Sequence, residues 1–192
     1  LGNVSENGTS DVPANENLHS QGAYLLCYAD QNVLDGKTGN INVLDWRSHR
    51  LQRVCRSSYA SETLSLEEAL DAAQLVRGQT AEMRGEAVHT PKLAEQAIAQ
   101  VKCVAVVDAK DTHDKVTKDS GGHGAQKSLA YTIGWLRQVV SRPNMRVRWT
   151  ATENMIVDAM TKDMDRTHLQ ETILRGTWSF TYNPDFIKTK TK

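Results

Sequence analysis

Apolar residues fall along this chain in blocks of two kinds, and each change of period marks an element boundary. Between Gly22 and Tyr28 the run Ala-Tyr-Leu-Leu-Cys-Tyr has the length and composition of a strand. Ile41 to Trp46 repeats it beyond the turn-forming Asp35-Gly36 and Thr38-Gly39-Asn40, so the two predict an antiparallel hairpin. From Ser58 to about Met83 the period becomes 3.6, with Leu66, Ala69, Leu70, Ala73 and Val76 in one stripe, which predicts a long helix packed on a sheet. Pro91 then precedes a short amphipathic helix through Leu93, Ala94, Ala97 and Ile98. Val101 to Val107 lacks a polar alternate and stops at Asp108, so a central strand buried on both faces is expected there. Its acid would sit at the carboxyl end, where ligands of α/β sheets bind.

Ser128 to Val140 again has helical spacing, with Leu129, Ile133, Leu136 and Val140 on one face and Arg142-Pro143-Asn144 as the stop. Met145 to Trp149 alternates as a half-buried strand with Arg146 and Arg148 on the other face. Thr150-x-x-Glu153 has the form of a capping box and predicts a helix carrying Met155, Ile156, Ala159, Met160 and Met164, with Asp158 at the edge of the stripe. Leu169 to Leu174 suggests one more helix. Gly121-Gly122-His123-Gly124 comes after the polar stretch Thr112 to Ser120 and has neither a strand before it nor a Lys-Ser/Thr after it, so it reads as a turn and not a phosphate loop. The organisation expected is a polar loop over 1–20, one α/β domain over 21–176, and a basic tail over 177–192 ending Lys-Thr-Lys-Thr-Lys.

Composition narrows the class. With 192 residues, 39% hydrophobic and 24% charged, the chain suits one globular domain. Its 23 basic and 23 acidic residues cancel, so a polyanion would have to be met by a local patch. Cys27, Cys55 and Cys103 are odd in number and far apart, which fits neither a disulfide framework nor a zinc knuckle. No apolar run approaches the roughly 18 residues of a membrane span. The expectation is therefore an intracellular protein, cytoplasmic or nuclear, with no membrane partner. The first residue, Leu1, suggests a piece of a longer polypeptide.

Three acids stand out. Asp108 ends the apolar strand, where it either caps the next helix or needs a cation or donor. Glu62 lies one turn before Leu66 on the inward stripe. It is either a favourable charge at a helix N-terminus or, if Ser65-x-x-Glu68 caps a later start, part of an approach loop. Asp158 is either an ordinary exposed helix acid or the third member of a set. Carboxylates converging from separate elements suit Mg²⁺, which is held by few of them and keeps positions open for water and phosphate oxygens. A pair of such ions about 4 Å apart clamps the attacking and leaving oxygens of a phosphoryl displacement. Arg47, Arg50, Arg53 and Arg56, with His49, form either a solvated strand extension or a phosphate-contacting patch.

Ser57-Ser58-Tyr59-Ala60-Ser61-Glu62-Thr63-Leu64, then Val106-Val107-Asp108-Ala109-Lys110-Asp111, then Arg148-Trp149-Thr150-Ala151-Thr152-Glu153-Asn154-Met155-Ile156-Val157-Asp158-Ala159-Met160-Thr161-Lys162 resemble the blocks of the ribonuclease H-like domain of copia-type retrotransposon polyproteins. The third block is the most specific, and the resemblance covers about residues 21 to 165. It implies a mixed five-stranded sheet flanked by helices, hydrolysis of the RNA strand of an RNA-DNA hybrid, two Mg²⁺ ions with Mn²⁺ as a substitute, and the reverse transcriptase portion of the same polyprotein as a partner. The last three family acids fall on Glu62, Asp108 and Asp158, and Arg47, Arg50, Arg53, Arg56 and Lys110 become candidates for nucleic-acid backbone contacts. The first family Asp lies on an opening strand between the hairpin and the central strand. Nothing before Gly22 is strand-like, and Leu1-Gly2-Asn3 resembles the family residues just after that Asp. The first strand is thus expected to be missing and the chain to be inactive or nearly so. Ala151 stands where the family often has Pro, and Ala130 where it is often acidic. The rival expectations are a catalytically dead nucleic-acid-binding or scaffolding remnant, and a doubly wound small-molecule domain, against which the absence of a glycine fingerprint argues.

Overall fold

A computed structural model describes residues 19–118 and 127–180. The turn around His123 and all of the expected loop over 1–20 except its last two residues lie outside those residues; His19 and Ser20 hydrogen-bond to the Leu51 backbone. The chain is mixed α/β. Strand β1 (Gln21–Ala29) pairs antiparallel with β2 (Gly39–Arg50), with a bulge at Leu26/Cys27. Their connection is more than a turn, because it contains helix α1 (Gln31–Leu34). Asp30 makes this possible: one carboxylate oxygen caps α1 at Val33 N (3.1 Å) and the other takes Asn40 N (2.8 Å), closing the hairpin from inside.

Helix α2 (Ser58–Met83) begins where its cap predicts, with Ser57 Oγ accepting from Ala60 N at 3.2 Å. The later start at Ser65 is not used, so Glu62 sits within the helix. Helix α3 (Pro91–Gln100) comes next, then β3 (Cys103–Val107), helix α4 (Lys110–Thr117), a 3₁₀ turn at Lys127–Leu129 leading into α5 (Ala130–Val140), and β4 (Met145–Trp149), which pairs parallel with β3. Leu66 and Leu70 of α2, Val116 of α4, Leu136 and Val139 of α5, and Met145 and Val147 of β4 form one core cluster. Buried Arg77 of α2 donates to the carbonyls of Val101 (2.9 Å) and Pro143 (3.3 Å), pinning the starts of β3 and β4 to the helix.

Three expectations are corrected. The region after β4 is not an α-helix: it forms 3₁₀ turns at Thr152–Asn154 and Ile156–Met160, separated by an extended Met155. The Met160 carbonyl, which a continuing helix would need, instead accepts from Ser48 Oγ at 2.7 Å. Cys103–Val107 is half-buried along its length and is an edge of a two-stranded sheet, not a central strand. Among the described residues the strands form a three-stranded antiparallel sheet and a two-stranded parallel one, not one mixed sheet.

The fold also continues past residue 176. Helix α6 (Thr167–Arg175) ends at Gly176, whose φ of 62° suits glycine, and β5 (Thr177–Trp178) pairs with Gly39 and Asn40 of β2. Phe180, 2% exposed, then joins Val33 and Ile41 in a cluster against which Cys27, Ala29, Val104 and Val106 pack, so the cluster draws on both sheets. Phe180→Ala is expected to lower unfolding free energy in urea by about 3 kcal/mol, whereas Tyr131→Ala on the surface changes it by under about 0.5 kcal/mol.

Candidate functional site

The acids reach one place by different routes. Glu62 is carried into the interior by the first turns of α2, one turn ahead of buried Leu66. Asp108 comes directly after β3. Its backbone carbonyl accepts from Trp149 Nε1 at 2.7 Å, and the next strand is registered by Thr150 N donating to Val107 O at 2.9 Å. Asp158 sits in the second 3₁₀ turn and is buried. Ser48 Oγ holds the end of that turn against β2.

Glu62, Asp108 and Asp158 line the same cavity of about 560 Å³ between β1, β3 and α2. Their charges act on each other: burial, then Asp108 and Asp158, push the Glu62 carboxyl up to about 6, and Lys162 pulls it part of the way back. Lys162 is the site residue that the sequence pattern leaves without a role. Its Nζ stands 2.6 Å from Asp158 Oδ2. Burial disfavours its charge, but the Asp158 hydrogen bond and the charges of Asp158, Asp108 and Glu62 prevail and hold it above the usual lysine range. The i,i+4 spacing of Asp158 and Lys162 is the available signal.

Among the described residues Lys162 is the basic group that acts on Glu62, against the charges of Asp108 and Asp158, and an excess of carboxylates of this kind suits a hard cation. No group of three or more acid, histidine or cysteine side chains among the described residues stands close enough together to hold a metal ion as placed, Glu62, Asp108 and Asp158 included. Mg²⁺ does not require such a group, since it is commonly bound through one or two carboxylates and keeps several waters. Glu62, Asp108 and Asp158 are the residues that would hold it.

The basic candidates divide. Arg47 and Arg50 lie exposed on β2, and Arg53 and Arg56 lie exposed on the segment 51–57 that leads from β2 to the start of α2. Among the described residues no salt bridge engages any of the four. Arg47 is next to Ser48, whose hydroxyl touches the turn carrying Asp158, so this end of β2 borders the acids. Lys110 opens α4, half-buried, two residues after Asp108.

The raised Glu62 carboxyl makes stability depend on pH. The folded chain keeps this proton up to about 6 and the unfolded chain only to its ordinary 4.5, so across that interval the folded state binds more protons and stability falls as pH rises. In chelator, Glu62→Gln should remove this slope and be about 1 kcal/mol more stable than the parent at pH 7 in urea unfolding, after allowance for partial exposure. A mutant less stable than the parent at pH 7 would show that no such repulsion exists. Compared with protein-family models, with curated proteins and with solved structures, the chain matches none.

Proposed function

We propose that this chain is a ribonuclease H-like domain of a retrotransposon polyprotein that, when complete, hydrolyses the RNA strand of RNA-DNA hybrids. The observation that carries the proposal is the meeting of Glu62, Asp108 and Asp158, from a helix, a strand end and a 3₁₀ turn, at one end of one cavity. Mg²⁺, or Mn²⁺ in its place, would supply there an activated water and neutralisation of the charge that develops on the phosphate.

The chain's own residues do the rest. Trp149 holds the backbone at Asp108 and the 3₁₀ turn holds it at Asp158, so the points from which both carboxylates extend are set by the fold. Ordering them before the cation arrives reduces the entropy lost on binding. Lys162 pairs with Asp158, a pairing that a cation of higher charge would displace. Arg47, Arg50, Arg53 and Arg56 can grip phosphates flanking the cut, while Lys110 stands beside Asp108. The hybrid's 2′-hydroxyls would be met across its shallow minor groove. Among the described residues no fourth acid joins these three in the position of the family's first Asp, so residues 1–192 alone are expected to cleave weakly or not at all.

A second reading, a catalytically dead nucleic-acid-binding or scaffolding remnant, is favoured by one observation: the exposed arginines engage no salt bridge among the described residues and need no metal to hold phosphates. Hybrid cleavage with Mg²⁺, by this chain and by one extended ahead of Leu1 with a strand bearing an Asp, separates the two. Cleavage only by the extended chain supports the nuclease, and cleavage by neither supports the remnant. In the extended chain, Asp108→Asn should abolish Mg²⁺ binding by calorimetry without lowering the thermal midpoint in chelator. An unaltered Mg²⁺ titration would contradict the assignment. Mg²⁺ affinity should also rise as pH increases through about 6, because Glu62 must lose its proton to bind.

A further inference from the structure

A smaller cavity, of about 320 Å³, opens at the amino ends of the two parallel strands. One wall is a face of α3, where Pro91, Ala94, Ile98 and Ala99 recur at helical spacing and present an apolar surface. Pro143, in the turn that leads into β4, also lines it. That turn is held from two sides, because Asn144 Nδ2 donates to Ala99 O at 2.8 Å and Arg77 Nη2 donates to Pro143 O at 3.3 Å. β3 and β4 run away from this end, and the extended chain from Val101 to Asp108, at about 3.3 Å per residue, puts the cavity roughly 20 Å from the acids.

Arg77 from α2 and Arg142 from the turn bring positive charge to this apolar hollow. Arg77 is buried, and its N–H groups reach only uncharged acceptors: the carbonyls of Val101 and Pro143, Gln74 Oε1 and the Met145 sulfur. A guanidinium carries one more donor than these engage. Arg142 is half-buried, and among the described residues no salt bridge engages either arginine. Glu95 is the acid on the cavity wall, and it is exposed and lies beyond salt-bridge distance of both. Burial, and the like charge of Arg142, push the Arg77 guanidinium below its usual range against the opposing influence of Cys103. A buried cation without a counter-charge is costly, and here a second cation stands near it.

We infer that this cavity binds a small monocarboxylate with a short apolar body, its carboxylate between Arg77 and Arg142 and its hydrocarbon against Pro91, Ala94, Ile98 and Pro143. The planar carboxylate matches guanidinium donors and supplies the missing counter-charge. A neutral apolar molecule would leave the two cations uncompensated, and inorganic phosphate would leave the apolar wall in water. The cavity lies at the small end of the roughly 300–1,000 Å³ range of ligand pockets, which keeps the body short. Glu95 repels a second carboxylate, so a dicarboxylate is disfavoured. The site uses none of Glu62, Asp108 and Asp158 and does not rest on the nuclease reading.

The probe is hexanoate, added to the full 192-residue chain in chelator at constant ionic strength and followed by backbone amide NMR shifts. Shifts at Ala94, Glu95, Ile98 and Ala99 should saturate with a dissociation constant on the order of 1 mM. At about ten times that concentration the thermal midpoint should rise by about 4 °C. Arg142→Gln, which removes one charge and leaves the Arg77 contacts in place, should weaken binding about tenfold, and Glu95→Gln, at an exposed position, should strengthen it about threefold. Absence of saturable shifts overturns the inference, as does equal binding by Arg142→Gln or no gain in Glu95→Gln. Equal binding of hexan-1-ol would reduce the site to an apolar hollow, and equal binding of inorganic phosphate would reduce it to a bare anion patch; either result also overturns it. Because no metal is present, the outcome is separate from Mg²⁺ binding.

Discussion

Among the described residues the two sheets of this protein are joined by side chains and not by a backbone ladder, and that constraint governs the rest of the structure. Helix α2 lies along both of them: Gly22 approaches Ser65 so closely that a Cβ there would stand 2.9 Å from its Oγ, and Arg77 reaches the starts of β3 and β4. Val33, Ile41 and Phe180 form a second cluster against which Cys27 and Ala29 of β1 and Val104 and Val106 of β3 pack. Helix α2 and this cluster together tie β1 to β3, and among the described residues no backbone hydrogen bond runs between those two strands.

The acids belong to the same constraint. Each stands at an end of an element that α2 organises: Glu62 on the helix itself, Asp108 at the end of β3, Asp158 in a turn clamped to β2 by Ser48. Folding therefore forces like charges into one half-buried space, at a cost that Lys162 only partly offsets. A surface cluster would relax by moving its side chains into solvent, whereas these are fixed by packing that serves the fold as a whole. Charge repulsion retained in this manner is characteristic of sites that take a cation.

Much of this is legible from residue order alone, and the remainder is hidden for identifiable reasons. The stripe from Leu66 to Val76 and the Ser57 cap locate α2, and stepping back one turn places Glu62 correctly, because the helix period is local information. The turn around Asp158 reads as a helix in the sequence because its decisive contact, Ser48 Oγ to Met160 O, joins residues 112 positions apart and leaves no trace in the local pattern. Helix α4 has no apolar stripe to announce it, since only Thr112 and Val116 turn inward. β5 and Phe180 are masked by the lysines beyond them, although Trp178 and Phe180 spaced by two after Gly176 carry a weak strand signal. β3 looks central because its sequence is that of a doubly covered strand, and the cavity beside it is where the expected neighbour would stand.

The central claim is that three carboxylates from separate elements form one cation-binding pocket. Side-chain NMR of the chain titrated with substoichiometric Mn²⁺ tests it most directly, because paramagnetic broadening falls steeply with distance from the ion. The account predicts that carboxylate signals of Glu62, Asp108 and Asp158 broaden together and first, with Lys162 next. Broadening that begins at surface acids such as Asp114 or Glu171, with those three unaffected, would contradict it.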